Sequence, residues 1–378
     1  MVPTGIDHKR QGKTAWPAYI EPQPRPTHIP TMFDSDNDEP FIPSPPSELE
    51  GSSSDTQQPL PLPIRGRSNM LDIPRPLRAV RFSLHKNRWA QTSNCARGIK
   101  EPLPSTFRLL TWNVDFASKS PKRRLAAAFE YIRQDVFLCK TPDERPEPCC
   151  ILLQEVSAQA FALITTNEWV QRSFLVVPSS TDKWPPGASY GTVTLVSRTI
   201  PVCGAFTIDF SNSRMYRNGL FVDIKLAMPA PRHAARLSDG MVQVRIANTH
   251  LESLPQGARA RPEQLRIIAE SLQEYDLHGG VVGGDMNAIG PLDVRIAEEV
   301  GLTDAWQGTD EEEEGFTWGY QPPCQFPAAR LDKVLWFSRG GLEVEEPVRV
   351  GVGAKYGSGE WISDHYGLVT NVHVVRQD

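Results

Sequence analysis

The sequence has no long apolar run, and this absence excludes the most. Nowhere do the roughly 18 or more apolar residues of a membrane-spanning helix follow one another, so no membrane partner is expected. The opening stretch MVPTGIDHKRQGKTAWPAYI lacks the apolar segment of a secretory leader, and none is expected. Cysteine is scarce: six residues in 378 (Cys95, Cys139, Cys149, Cys150, Cys203 and Cys324), with no CxxC spacing. Free thiols in a reducing compartment are expected rather than a disulfide framework. Cys149 and Cys150 lead into the apolar ILL and read as core residues. Surplus positive charge is lacking too. Forty Lys and Arg against 45 Asp and Glu leave a formal net charge of −5. Bulk charge therefore does not announce a nucleic-acid binder, and any basic surface has to be local. No repeat at a fixed period appears.

Proline, by contrast, is plentiful and unevenly placed. About half of the 34 prolines precede residue 106, in phrases such as PQPRP, IPSPPSE and QQPLPLPIRGR. Such sequence buries too little apolar surface to offset its ordering entropy. Residues 1–77 are read as disordered, a linker that doubles as polyproline ligand if it has a partner, whose identity is open. Residues 78–106 form a lead-in in which VRFSL and RWAQT flank the polar HKN as a hairpin. From Arg65 to Lys100 Asp72 is the only acid; a solvated linker is the default reading, contact with a polyanion the minority one.

From residue 107 the texture becomes that of a folded domain, read as 107–378. FRLLTWN, CCILLQEV, SYGTVTLVSR, GLFVDIKLAM, MVQVRIANTHL, GGVVGGD, RLDKVLWFS and YGLVTNVHVV read as strands. SPKRRLAAAFEYIRQ reads as a helix with Ser120 as N-cap, Pro121 in the first turn, and Leu125, Ala128, Phe129 and Ile132 on one face. PEQLRIIAESLQEY is a second amphipathic helix. Many strands with few helices predict an α+β fold of packed sheets with helices outside.

Several of these apolar strands stop at an acid, an amide or a histidine: Asn113, Glu155, His250, then Asp285 with Asn287. Asp332 lies within RLDKVLW, and Asp364 and His365 precede YGLV. Singly, each has a structural reading: a turn cap, a solvated strand end, a buried ion-pair partner. Together they form a set that is costly to bury unless paired or bound to a cation, at the loop positions where sheet scaffolds place chemistry. Carboxylates with amides and histidines, and no cysteine, suit magnesium or manganese better than zinc. A phosphodiester, which is negative and resists attack by water, needs such a set.

The motifs TWNVD (111–115), LQEV (153–156), NTHLES (248–253), GGDMN (283–287), RLDKVLW (330–336) and SDHYGL (363–368), in this order, resemble the endonuclease/exonuclease/phosphatase superfamily. Within it the chain looks most like the 5′-tyrosyl-DNA phosphodiesterase branch, through VD after TWN, SYGTVTL (189–195), RMYRNGLFV (214–222) and FTW (316–318). The resemblance covers roughly residues 107–375. It implies a four-layer α/β/β/α sandwich of two packed, mainly antiparallel sheets. It implies Glu155 and Asp364 as metal-site residues for Mg2+, with Mn2+ as the substitute. It implies Asp285 and Asn287 as the pair that activates water, His365 as stabiliser of the pentavalent state, Asp332 as the acid that orients it, and Asn113 and His250 beside the phosphate. Tyr190, Arg217 and Trp318 align with substrate-groove residues; their alternative readings are core packing and a surface ion pair.

The chain departs from the branch in two places. The arginine usual shortly after GDxN is replaced by Ala288 and Ile289, with Arg295 later and out of register, and FTW is followed by Gly319 where an acid is common. The acidic run DEEEE (310–314) is expected as an exposed loop that repels DNA if it faces the groove. The expected function is hydrolysis of a tyrosine–5′-DNA phosphodiester by a monomer, with residence in the nucleus, or in nucleus and cytoplasm both, inferred from that substrate. The alternatives are another phosphoester hydrolase on the same fold (a nuclease, a deadenylase, or a phosphoinositide or sphingomyelin phosphodiesterase) and a non-enzymatic binding protein.

Overall fold

The computed structural model describes residues 71–92, 102–117, 119–229 and 240–376. Most of the Pro-rich region and Cys95 lie outside the described residues. The strands, in chain order, begin with β1 (Arg75–Pro76), β2 (Val80–Ser83), β3 (Arg88–Gln91) and β4 (Thr106–Asn113). After helix α1 (Pro121–Tyr131) comes β5 (Cys149–Ser157), and after α2 (Ala158–Thr166) and α3 (Glu168–Ser173) come β6 (Phe174–Val177), β7 (Tyr190–Ser197), β8 (Val202–Asp209), β9 (Asn218–Ala227) and β10 (Met241–His250). Helix α4 (Arg261–Leu272) leads to β11 (Gly279–Asp285), and α5 (Ile296–Glu299) to β12 (Thr303–Asp304) and β13 (Asp332–Ser338). The last strands are β14 (Leu342–Val344), β15 (Val348–Val350), the ribbon β16 (Lys355–Tyr356) and β17 (Glu360–Trp361), and β18 (Gly367–Val374).

Two sheets result. One has seven strands in the order β1-β8-β9-β10-β11-β13-β12; the other has nine, running β14-β18-β4-β5-β7-β6-β2-β3 with β15 beside β18. Pairing is antiparallel throughout except at β4–β5 and β10–β11. The stretch before residue 107 contributes to both sheets: β1 pairs with β8, and the hairpin β2–β3 pairs with β6.

The apolar runs are continuous, not alternating, because the central strands are covered on both faces. Leu110, Trp112, Ile151 and Leu153 pack outward against Phe129, Ile164 and Trp169 of α1, α2 and α3. Leu109, Cys150 and Leu152 pack inward on Val222, Ile246 and Val281 of the facing sheet. On that sheet's other side Phe221, Ala247 and Val282 lie under Leu265 and Ile268 of α4. The expected four layers are present. The buried face foreseen for α1 is present as well, with Ser120 at the N-cap position and Leu125, Ala128, Phe129 and Ile132 buried. Among the described residues no helix is long and apolar enough to cross a membrane.

The two parallel pairs position the site. A parallel neighbour brings the carboxyl ends of two strands to one edge, and β4–β5 and β10–β11 do so in the centres of the two sheets. Asn113 pairs in register with Gln154, and His250 with Asp285. The antiparallel neighbours β13 and β18 begin where these strands end, with Asp332 opposite Asp285. The tight approach at this edge requires glycine: a Cβ on Gly284 would meet the Thr249 carbonyl oxygen at 1.9 Å, and one on Gly283 would meet Leu152 of the facing sheet at 2.9 Å.

Candidate active site

Glu155 sits at a bulge in β5, where the register with β7 shifts between Leu153 and Val156. Its φ is +57°, a left-handed conformation that costs a non-glycine residue energy and that recurs at functional sites. The bulge breaks the strand's alternation. Gln154 points into the space between the sheets, donating to Asn248 (2.8 Å) and Thr111 (3.0 Å), while Glu155 turns to the sheet edge. There one Glu155 oxygen accepts from the Phe116 amide at 3.1 Å.

Asp285 is the hub. Its Oδ1 accepts from the Asn287 amide (2.9 Å) and its Oδ2 from Asn113 Nδ2 (3.1 Å), with His250 Nε2 at 3.3 Å and His365 Nε2 at 3.9 Å. Asn287, also left-handed at φ +48°, donates its side-chain amide to the Leu251 carbonyl. Burial pushes the Asp285 carboxyl up to about 6, helped by Asp332 and opposed by His365 and the two amides. Burial, with the nearby Asp364 and Asp285 charges adding to it, also raises Glu155. Both acids thus lack the surroundings that would keep them comfortably ionised.

The two histidines are opposites. His365 Nδ1 lies 2.8 Å from Asp332 Oδ2, and Asp332 is fully buried. Burial alone would lower this imidazole, but the charges of Asp332, Asp364 and Asp285 outweigh it and hold it well above the ordinary histidine range. His250 Nδ1 accepts from the Arg217 guanidinium at 3.0 Å, which places the neutral ring's proton on Nε2, toward Asp285. The Glu155 carboxylate is also 3.8 Å from His250 Nδ1, an ion pair if that nitrogen carried a proton. Arginine has no acceptor, so the Arg217 bond decides the tautomer. Burial, then Arg217 and His365, holds His250 well below its ordinary value.

The expected substrate residues join the same site. Arg217 is buried; its guanidinium donates to Tyr190 Oη (3.1 Å) and Ser253 Oγ (2.6 Å) as well as to His250. Its side chain is thus largely occupied in holding His250 and Tyr190 and is not free at the surface. Trp318 is half-buried and donates its indole N–H to Asp364 Oδ2 at 3.2 Å. Arg295 stands in the exposed start of α5 and pairs with Glu298 at 3.1 Å. Of the acidic run, Glu311, Glu312, Glu313 and Glu314 are exposed, but Asp310 turns inward to Arg330 and to Lys333 (3.1 Å). The run is therefore only partly the free loop expected, because two buried cations capture its first acid.

Supporting residues had no separate signal in the sequence. Ser363 Oγ donates to the Asn113 carbonyl and accepts from the His365 amide, locking β4 to the SDH turn. Trp112 and Gln321 both donate to the His365 carbonyl. Thr317 Oγ1 accepts from the amides of Leu331 and Asp332. Polar letters inside apolar strands, Gln154 in ILLQEV and Asn248 in VRIANT, were the available clue to the bridge between the sheets.

The donor set suits a hard divalent cation. Four carboxylates, Glu155, Asp285, Asp332 and Asp364, converge on His365, and Asp332 Oδ1 is buried without a hydrogen-bond partner. Asp285, Asp332 and His365 offer ligand atoms within 4.8 Å of one another. That trio is compact because Asp332 already binds His365 Nδ1, which makes the two an orienting pair. Glu155 and Asp364, each with a carboxylate oxygen outside the hydrogen bonds named above, could hold such a cation.

Comparison with known proteins bears on the same residues. The profile of the Endonuclease/Exonuclease/phosphatase family matches residues 110–365. No curated protein matches the chain. Among solved structures, humanised D. rerio TDP2 carrying 14 mutations is 19% identical with a TM-score of 0.54, covering 71% of this chain and all of its own. TDP2 from C. elegans is 22% identical (TM-score 0.53), covering 72% of this chain and 77% of its own. ANGEL2, a 2′,3′-cyclic phosphatase, is 12% identical (TM-score 0.52), covering 71% of this chain and 96% of its own. At such identities these likenesses establish the fold. The match of the family profile over most of the domain, through the strands that carry Asn113, Glu155, His250, Asp285 and Asp332 and up to His365, establishes that the chain belongs to the endonuclease/exonuclease/phosphatase family.

Proposed function

We propose that this phosphoester hydrolase acts on the phosphodiester between a tyrosine and the 5′ end of DNA, releasing a 5′-phosphate. The carrying observation is the carboxylate–histidine site around Asp285 and His365, flanked by the half-buried aromatics Tyr190 and Trp318, the latter bonded to Asp364. The likeness to TDP2 structures, one of which holds a single-strand DNA product, supports the same reading. In this reading Glu155 and Asp364 would hold the cation, magnesium foremost and manganese as substitute, and the charge it would supply there is that of a Lewis acid on the phosphoryl group.

Asp285, with its carboxyl near 6, accepts a proton from the attacking water while Asn287 and Asn113 fix its orientation. The water oxygen bonds to phosphorus as the bond to the tyrosyl oxygen breaks. His365, kept protonated by Asp332, donates from Nε2 to a phosphoryl oxygen as negative charge builds there. The neutral His250 offers a second N–H. The leaving phenolate belongs to an acid of pKa about 10 and needs less protonation than an alkoxide. DNA bearing a 5′-linked tyrosine or peptide is the proposed partner, a monomer the proposed state, and nuclear residence follows from that substrate.

A second reading keeps the reaction and changes the substrate. Ala288 and Ile289 stand after GDMN where the branch usually has an arginine, and Arg295 is exposed and paired with Glu298. A smaller phosphoester then fits as well. Turnover with magnesium of an oligonucleotide bearing a 5′-phosphotyrosine, compared with a 3′-phosphotyrosine and a 2′,3′-cyclic phosphate, tests the proposal. Preference for the first is expected. Selective turnover of another ester would overturn it.

A further inference from the structure

Phe116 follows the TWNVD motif and was assigned no role from the sequence. Its surroundings are built with care. Asp115 before it is left-handed at φ +52°, pairs with Arg124, and accepts from the Ala117 amide at 2.9 Å. The Phe116 amide is committed to Glu155. The ring itself belongs to none of the three apolar clusters. It lies flat on Tyr190, with centroids 3.9 Å apart and planes 14° apart, and Tyr190 is backed in turn by the Arg217 guanidinium 5.5 Å from its ring centroid. Yet 37% of Phe116 is open to solvent. A phenyl ring kept out of the core, held by a hydrogen-bonded turn and left uncovered next to the Glu155 carboxylate is poorly explained by packing. Tyr190, covered by Phe116, cannot offer that ring face to a substrate; Phe116 offers its own.

We propose that Phe116 is a specificity-determining residue whose exposed face stacks on a planar ring attached to the phosphate bound at Glu155. The ring is an aryl group or a nucleobase; both present a π face of the same kind. Phe116 takes no part in proton transfer. It sets which phosphates are held.

This inference rests on the phosphate-binding site proposed above, but its test does not require turnover. Calorimetry with magnesium measures the affinities of phenyl phosphate, thymidine 5′-phosphate and methyl phosphate for the full chain. At least one ring-bearing ligand should bind about tenfold tighter than methyl phosphate, the gain expected from one stacked ring. Phe116→Ala and Phe116→Leu should erase that advantage and leave methyl phosphate unchanged; Phe116→Trp should keep it. An advantage for phenyl phosphate alone assigns the ring to the aryl side, and for thymidine 5′-phosphate alone to the base side. The proposal is overturned if the wild type shows no preference for a ring, if Phe116→Leu matches the wild type, or if methyl phosphate weakens in parallel. Because Phe116 is outside the core, its variants should fold. If the chain binds these ligands with a ring preference but hydrolyses no phosphodiester, the function proposed above fails while this inference stands.

Discussion

Asp332 never reaches the substrate in the proposed reaction, yet the state of His365 depends on it. Replacing it by asparagine removes the charge that keeps the imidazole protonated while preserving side-chain size. Asp332→Asn is expected to lower kcat by about 10²- to 10⁴-fold, the range of a positioned general acid or base, with an unchanged circular dichroism spectrum. A loss below threefold would show that His365 does not depend on this partner.

Asp285 makes a prediction for pH. Its carboxyl ordinarily ionises near 3.8 and here near 6, so between these values the folded protein holds a proton that the unfolded chain has lost. The Asp285 contribution to metal-free stability therefore falls as pH rises through that window and stays lower above it, while His250, held well below its ordinary value, contributes in the opposite direction as pH rises toward 6.5. His365 runs differently: its folded value is raised, so its contribution is lost only above pH 6.5 and does not oppose the trend. A cation beside Asp285 offsets the penalty. The rise in Tm on adding magnesium should be larger at pH 7.5 than at pH 5, and Asp285→Asn should flatten the difference. Equal shifts at both pH values would contradict the site, and chelation should abolish hydrolysis.

At the scale of elements, the site depends on how closely β10 and β11 approach each other. The close contact of Gly284 with Thr249 leaves no room for a methyl group. Gly284→Ala forces β10 and β11 apart at the strand ends that carry His250 and Asp285. It should cost about 1–3 kcal/mol or more in urea unfolding and reduce activity in the folded fraction. A variant as stable and active as the wild type would show that this edge gives way easily. The bulge at Glu155 is the second such device. Without it, Glu155 would follow Gln154 in ordinary alternation and face the helix-covered side of β5 instead of the edge where Asp285 and His365 lie. Neither feature shows in a pattern of apolar and polar letters, because a bulge leaves the letters unchanged.

At the scale of the molecule, the fold starts earlier than the first long strand. β1 and β2 supply edges to the two sheets, and Leu77, Ala79, Val80 and Phe82 are buried. A chain starting at Pro104 would expose the edges of β8 and β6 and lose that burial. Three of these side chains are large, each contributing about 1.5–3 kcal/mol when buried, so the sum rivals the roughly 5–15 kcal/mol that holds a domain folded. Such a chain should aggregate or unfold at lower urea concentration than one starting at Leu71. Indistinguishable midpoints would show the leading strands to be dispensable.

The sequence alone singled out the candidate site. Asn113, Glu155, His250, Asp285, Asn287, Asp332, Asp364 and His365 were legible because charged or amide residues at the ends of apolar strands are too costly to be incidental. Packed sheets with helices outside were legible because the strands are short continuous apolar runs and the helices are apolar on one face only; the four layers were implied by the resemblance. Tertiary structure decided what a one-dimensional reading cannot hold. It chose the tautomer of His250 through an arginine 33 residues away in the chain, and it buried Arg217 so that the cation expected to meet substrate holds its neighbours. It turned Asp310 inward and left Arg295 outside. It stacked Phe116 on Tyr190, two residues far apart in the chain and unrelated by any motif. These outcomes depend on which surfaces meet when the sheets close, and that contact is set by packing across the whole domain.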